Sequence, residues 1–254
     1  MKSEFLKLKN RRSMIVIALI MLVPFIDLFF NIYSDTELGG DLHPAMAAFL
    51  SGSSTGHMAQ ILLMCTLPVY MLMIYSGSVI AEKDQGYLNI AYTTTEKKKY
   101  VRQKMSVAFI TGFGVLAASL LLNFVLSCII FSGGTGFAGM QQDPAELSGS
   151  LKFSISHPYS IYCLYILSSC FIAGMVNIFC IALGLVLKNN WLLYMVVFLV
   201  WILLIINPFS IVYGMQPFTE FGFGYTTVAV SESVILGIAG LILANIYVRR
   251  RDAV

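Results

Sequence analysis

The chain has 254 residues, 58 % of them hydrophobic and only 11 % charged, with a formal net charge of +3. An average soluble domain carries roughly 25 % charged residues, so the composition excludes an ordinary soluble fold, and a charge this small gives no ground for a nucleic-acid partner. The five cysteines, Cys65, Cys128, Cys163, Cys170 and Cys180, show no C-x-x-C or C-x-x-H spacing, so neither a zinc site nor a disulfide is expected.

In chain order, the apolar runs predict an all-α membrane protein forming one domain with six spans, at 13–33, 57–81, 105–131, 160–187, 191–206 and 227–248. Basic residues precede the first run, but its core is long and no small-residue cleavage site directly follows, so an uncleaved span is expected. The loop at 34–56 carries Asp35, Glu37 and Asp41 among Gly and Ser and reads as a polar surface connection, with room for a helical turn. The loop at 132–156 reads the same way, with Gly133-Gly134-Thr135-Gly136 followed by Asp143 and Glu146. Neither holds a D-x-D-x-D-G calcium pattern, so solvated loop charge is the better account of these acids.

The segment at 82–104 mixes Tyr87, Leu88, Ile90, Ala91 and Tyr92 with polar residues. It is either a short amphipathic helix on the membrane surface, able to press on a soluble partner, or a plain basic loop that holds topology. Thr93-Thr94-Thr95 before Glu96 reads as a helix start leading into the third span. The segment at 207–226 interleaves Phe209, Tyr213, Phe218, Phe221, Phe223 and Tyr225 with glycines, and either re-enters the membrane or forms an aromatic-rich interfacial loop.

Fifteen of the sixteen Lys and Arg residues fall before the first span, between the second and third, between the fourth and fifth, or after the sixth; only Lys152 does not. Loops on the cytoplasmic side retain Lys and Arg, so six spans with both termini cytoplasmic are expected, in the cell membrane. Within the spans Asp27 sits at the outer interface or lines a cavity. Glu232 faces a cavity or the 207–226 segment, or caps that segment's N–H groups. Asn123, Asn177 and Asn245 are expected to bond between helices, and Gly237 and Gly240 to let helices approach. His57 and His157 lie near span starts, too far apart in sequence to suggest a metal pair.

The order of a basic N-terminus, two spans, Glu82-Lys83-Asp84-Gln85-Gly86, the cluster Lys97-Lys98-Lys99-Tyr100, and Lys104 entering the third span resembles the permease subunit of ABC transporters of the type-2 exporter class. Lys2-Ser3-Glu4-Phe5-Leu6-Lys7-Leu8-Lys9 resembles that family's interfacial elbow helix, and 207–226 its re-entrant outer hairpin. Where the family often has Pro followed by Ser and Arg, this chain has Thr94, Thr95 and Glu96–Lys98. The resemblance implies a coupling helix around 82–92 that docks on a cytoplasmic ATPase, with Tyr87, Leu88 and Ile90 packing and Glu82 and Asp84 meeting basic groups beside Gly86. It implies a working unit of two permeases, identical or related, and two ATPases, exporting an amphipathic cargo such as an antimicrobial peptide, or drugs and lipophilic compounds. Asp27, Glu232, Phe218 and Phe221 would border the path. No G-x-x-x-x-G-K-[ST] loop occurs in the sequence, so ATP and Mg would be held by the partner and no cofactor by this chain. An ion-coupled transporter using Asp27 or Glu232 is the rival reading. An intramembrane enzyme lacks paired catalytic groups.

Overall fold

A computed structural model describes residues 4, 7–38, 41–51, 58–137 and 149–251. Asp143, Glu146, His57 and half of the expected elbow helix lie outside the described residues, as do the side chains of Asp35 and Glu37. The described chain is helical, and its only backbone bridge joins Leu42 to Gly136.

A 3-10 turn at Lys7–Lys9 leads into α1, Arg11–Leu38. Helix α2, Met58–Met71, continues through a π-helical turn, Leu72–Ser76, into α3, Ser78–Asp84. A short helix follows, α4, Tyr87–Thr94, and then the 34-residue α5, Lys97–Ile130. The chain closes with α6 (Gly149–Ser156), α7 (Pro158–Val186), α8 (Asn190–Ile206), a 3-10 turn (Ile211–Met215) and α9 (Phe223–Arg251). Five helices are long and apolar enough to cross a bilayer, and α8, with 17 residues, is a shorter apolar helix. The chain is an all-α, multi-pass membrane protein.

Helix α7 is the axial member, buried along most of its length between α5 and α9. Small residues permit this closeness: a Cβ on Gly112 would meet the Ala173 carbonyl at 2.8 Å, and one on Gly240 would meet the Phe179 Cα at 3.0 Å.

Two helices carry an internal proline, which has no N–H for the carbonyl four residues back. Each freed carbonyl finds a side-chain donor on another helix. Ser119 Oγ donates to the Ile20 carbonyl at 2.9 Å, opposite Pro24, and Trp201 Nε1 donates to the Met64 carbonyl at 3.0 Å, opposite Pro68. In hydrocarbon no water would take that place.

The basic segments gather at one end of the bundle. Lys83 Nζ donates to the last carbonyls of α7, at 2.8 Å to Gly184 and 3.0 Å to Leu187, and also to Leu185. Lys97 Nζ donates to the Val248 carbonyl at 2.6 Å, and Arg12 to Tyr194 Oη at 3.2 Å. At the other end, His43 stacks on Phe137 and packs against Tyr159, and Phe137 meets Phe218.

The first outer loop differs from its sequence reading. Residues 44–50 are not a surface connection but are buried in the bundle end. The segment does form the helical turn the loop had room for, as a short α-helix Pro44–Ala47 and a 3-10 turn Phe49–Ser51, and neighbouring side chains satisfy backbone groups that these turns leave open. Asn31 Nδ2 donates to the Ala47 carbonyl at 2.8 Å, and Gln60 donates to the Leu50 carbonyl. The Phe49 N–H donates to Asn123 Oδ1 at 3.0 Å, and the Leu50 N–H to Tyr162 Oη at 3.1 Å. Gly and Ser in the flanks hid this burial, because composition reports the flanks and not the apolar run Ala45–Leu50 between them. Asp41 is exposed, as its reading as a solvated charge has it, and also accepts the Thr135 N–H at 3.0 Å, tying the first outer loop to the second. The predicted Thr cap of α5 is also corrected: Glu96 stands at the N-cap without a capping bond, and Thr95 is extended.

Candidate functional site

At the basic end, two acids and two lysines from three separated stretches of chain meet, all but Lys7 buried. Glu82, near the end of α3, and Glu4, in the N-terminal segment, are 8 % and 2 % exposed, and Lys104 of α5 is fully buried. Lys7 Nζ lies 2.6 Å from Glu4 Oε1 and 2.8 Å from Glu82 Oε1. Lys104 Nζ lies 3.3 Å from Glu4 Oε2 and 2.8 Å from Glu82 Oε2. The formal charges cancel, two against two. Tyr75 Oη donates to Glu4 at 2.8 Å and Tyr100 Oη to Glu82 at 3.0 Å, completing the shell with neutral donors. Buried charges survive when they are paired and hydrogen-bonded, as here.

Burial works to raise the Glu4 carboxyl, but Lys104, Lys7 and Tyr75 outweigh it and hold the group below the usual carboxylate range. Burial likewise works against the Lys7 ammonium, but Glu4 and Glu82 outweigh it and raise it above the usual lysine value. Both groups are therefore charged at neutral pH.

This network underlies α4. Gly86 at φ +70° makes the reversal between α3 and α4, in the left-handed region that a side chain disfavours. Leu88 is 2 % exposed and packs with Ala91 and Tyr100, while Tyr92 meets Tyr100 edge-on and its hydroxyl lies 3.3 Å from that of Tyr247. Asp84, at the end of α3, and Tyr87 and Ile90 of α4 are exposed, and Lys7 Nζ lies 4.6 Å above the Tyr87 ring.

Two residues assigned to partner contact are thus corrected. Glu82 does not reach outward to basic groups on another protein, because the chain's own lysines hold it. Leu88 does not offer packing, because it is the buried anchor of its helix. The sequence reading also missed Glu4, Lys7, Tyr75, Tyr100 and Lys104 as a unit. The available signal was Lys104, a lone cation against the apolar run that begins at Met105, with Glu82 closing another apolar run.

The residues proposed to border a path do not converge. Asp27 is 1 % exposed, with Asn31 Nδ2 at 3.4 Å from its carboxylate, so the chain's own side chains cover it. Glu232 accepts from Asn207 Nδ2 at 2.9 Å through one oxygen, and the other is buried with no hydrogen-bond partner among the described residues. Phe218, at φ +57°, is buried against Phe137, whereas Phe221 is exposed and packs with Tyr213 and Tyr225. Asn123 and Asn177 bridge helices, the former to the Pro24 carbonyl and the latter to Ala108 and Ser76. Asn245 does not; it is exposed on α9. His157 bonds its neighbour Ser156, and no group of His, Cys, Asp and Glu able to hold a metal occurs among the described residues.

Among curated proteins, the uncharacterized protein YybM of Bacillus subtilis (strain 168) is 32 % identical over 216 residues, covering 85 % of this chain and 84 % of YybM. The chain belongs to the YybM family. No protein-family model matches it, and no solved structure does.

Proposed function

We propose that this chain is the membrane permease subunit of an ATP-driven exporter of the ABC type, crossing the cell membrane six times with both termini in the cytoplasm. The observation that carries the reading is α4. It is a short helix at the basic end, fixed from beneath by Leu88 and the four-charge network, and it presents Tyr87 and Ile90, apolar and exposed, on a polypeptide with no phosphate-binding loop of its own. A rigid helix with an exposed apolar pair suits force transfer from a soluble ATPase, with Asp84 as a flanking charge. Helix α8 supports six spans: its start lies by Arg12 at the basic end and its end by Asn207, close to Glu232. The working unit contains two permeases. The cargo is amphipathic, an antimicrobial or toxin-like peptide, a class suited to the aromatic group at the far end, where half-buried Tyr213 and Tyr225 pack against exposed Phe221.

Affinity purification from native membranes in mild detergent tests the proposal. The wild-type chain is expected to bring down a soluble ATPase whose hydrolysis responds to amphipathic peptide. Ile90→Asp should reduce that recovery at least tenfold while the protein stays folded, since Ile90 is 64 % exposed. Leu88→Asp is the poorer test, because it would bury a charge and unseat α4. Recovery of intact wild-type protein without an ATPase would overturn the reading in favour of ion-coupled transport, for which the unpartnered Glu232 oxygen is the favouring observation.

A further inference from the structure

A groove of about 570 Å³ runs between α5 and α9 at the basic end, away from the charge network. Its walls are apolar, with Phe109 and Leu241 among them, and Ser106 and Asn245 add polar groups. Lys98 and Arg102 stand at its rim, four residues apart and so on one face of α5. Both are exposed, and no acid is paired with either among the described residues. Their neighbour Lys97 is used differently: it turns to the Val248 carbonyl and lies 5.5 Å from the Tyr247 ring, pinning α5 to α9 where the groove opens.

These cations are also placed where local physics opposes them. They occupy the first turns of α5, the positive end of its dipole, with no acid in the first turn. An anion at the rim would relieve both the dipole and the mutual repulsion, and apolar walls beneath would take hydrocarbon.

We infer that this groove is a binding site for an anionic phospholipid, its phosphate held by Lys98 and Arg102 and an acyl chain lying between α5 and α9. The groove lies along two of the membrane-crossing helices, at the end where their flanks turn basic, which is the depth of a lipid headgroup. A second copy of the chain is a poor occupant. A two-fold contact across this groove would set Lys98 and Arg102 against their own counterparts. The inference needs only the membrane setting, and stands whether or not an ATPase is the partner.

Native mass spectrometry of the full chain, after exchange into detergent with equal phosphatidylglycerol and phosphatidylcholine, tests it. The wild type is expected to retain phosphatidylglycerol selectively. The double variant Lys98→Gln/Arg102→Gln should lose that selectivity by roughly thirtyfold, the factor expected from two cations at an anionic surface. Ser106→Trp, which fills the groove from an exposed position and leaves both cations in place, should also lose the lipid. Lys99→Gln, an exposed neighbour that does not line the groove, should retain it. Equal retention of the two lipids by the wild type would overturn the site, as would undiminished selectivity in both the double variant and Ser106→Trp.

Discussion

Ser119 and Trp201 show how single side chains make proline tolerable inside these helices. Pro24 leaves the Ile20 carbonyl without its usual N–H, and Ser119 supplies the missing donor from α5. Removing that hydroxyl by Ser119→Ala should lower stability by about 1 kcal/mol, the scale of a hydrogen bond between membrane helices. In a Pro24→Ala background the new backbone N–H can serve Ile20, so the same substitution should cost much less. A denaturant double-mutant cycle in micelles measures the difference. Equal costs in both backgrounds would show that the Ser119 bond has nothing to do with the proline.

At the scale of elements, the four-charge network joins the N-terminal segment, α3 and α5 at one point. Lys104→Met should destabilise the protein by roughly 3–5 kcal/mol, because it leaves buried carboxylates short of a partner. Lys104→Met combined with Glu82→Gln should recover part of that loss, since it restores the balance of charge. Thermal unfolding of the three proteins in one detergent checks this, and a fully additive double variant would mean that the pair is not coupled.

The apolar helices were legible because ~20 apolar residues in a row have few other uses. The orientation of α4 was not. Its apolar side chains wrap more than one face, with Tyr87 exposed one turn before buried Ala91 and Ile90 exposed beside buried Leu88, so periodicity could not say which side is covered. The reading of Glu82 failed for a related reason. Its partners lie 75 and 22 residues away in sequence, beyond the reach of any local pattern. The π-helical turn at Leu72–Ser76 left no mark on composition. It is visible only in the backbone, where the Gly77 N–H donates to the Leu72 carbonyl five residues back at 2.8 Å.

Across the whole molecule, the two ends should respond to acid in different windows. At the far end, burial lowers His43, whose Nδ1 accepts the Ala45 N–H at 3.1 Å and must therefore be unprotonated. Its contribution is complete above its ordinary value of 6.5 and is lost as pH falls below that value toward the lowered one. At the basic end, Glu4 is also lowered, so its contribution is complete above 4.5 and is lost only in stronger acid. Lys7 is raised, so its contribution is present below 10.5 and is lost as pH rises through its higher value. Hydrogen exchange should accordingly show the 43–51 region loosening between neutral pH and pH 5 while the N-terminal segment stays protected. Simultaneous loosening of both regions would contradict this assignment.

The buried turn at 44–50 also imposes an order on biogenesis. Asn31 and Gln60 lie only 16 and 10 residues from the carbonyls they serve, but the acceptors that complete its backbone bonds, Asn123 and Tyr162, follow 74 and 112 residues after their partners. At ~5–20 residues per second that interval is on the order of 5–20 s. Until then the turn has two unanswered N–H groups and no tolerable place in hydrocarbon. The nascent chain must park it in water, then draw it inward once the fourth membrane helix arrives, so a turn that is made early closes only when most of the bundle has followed it.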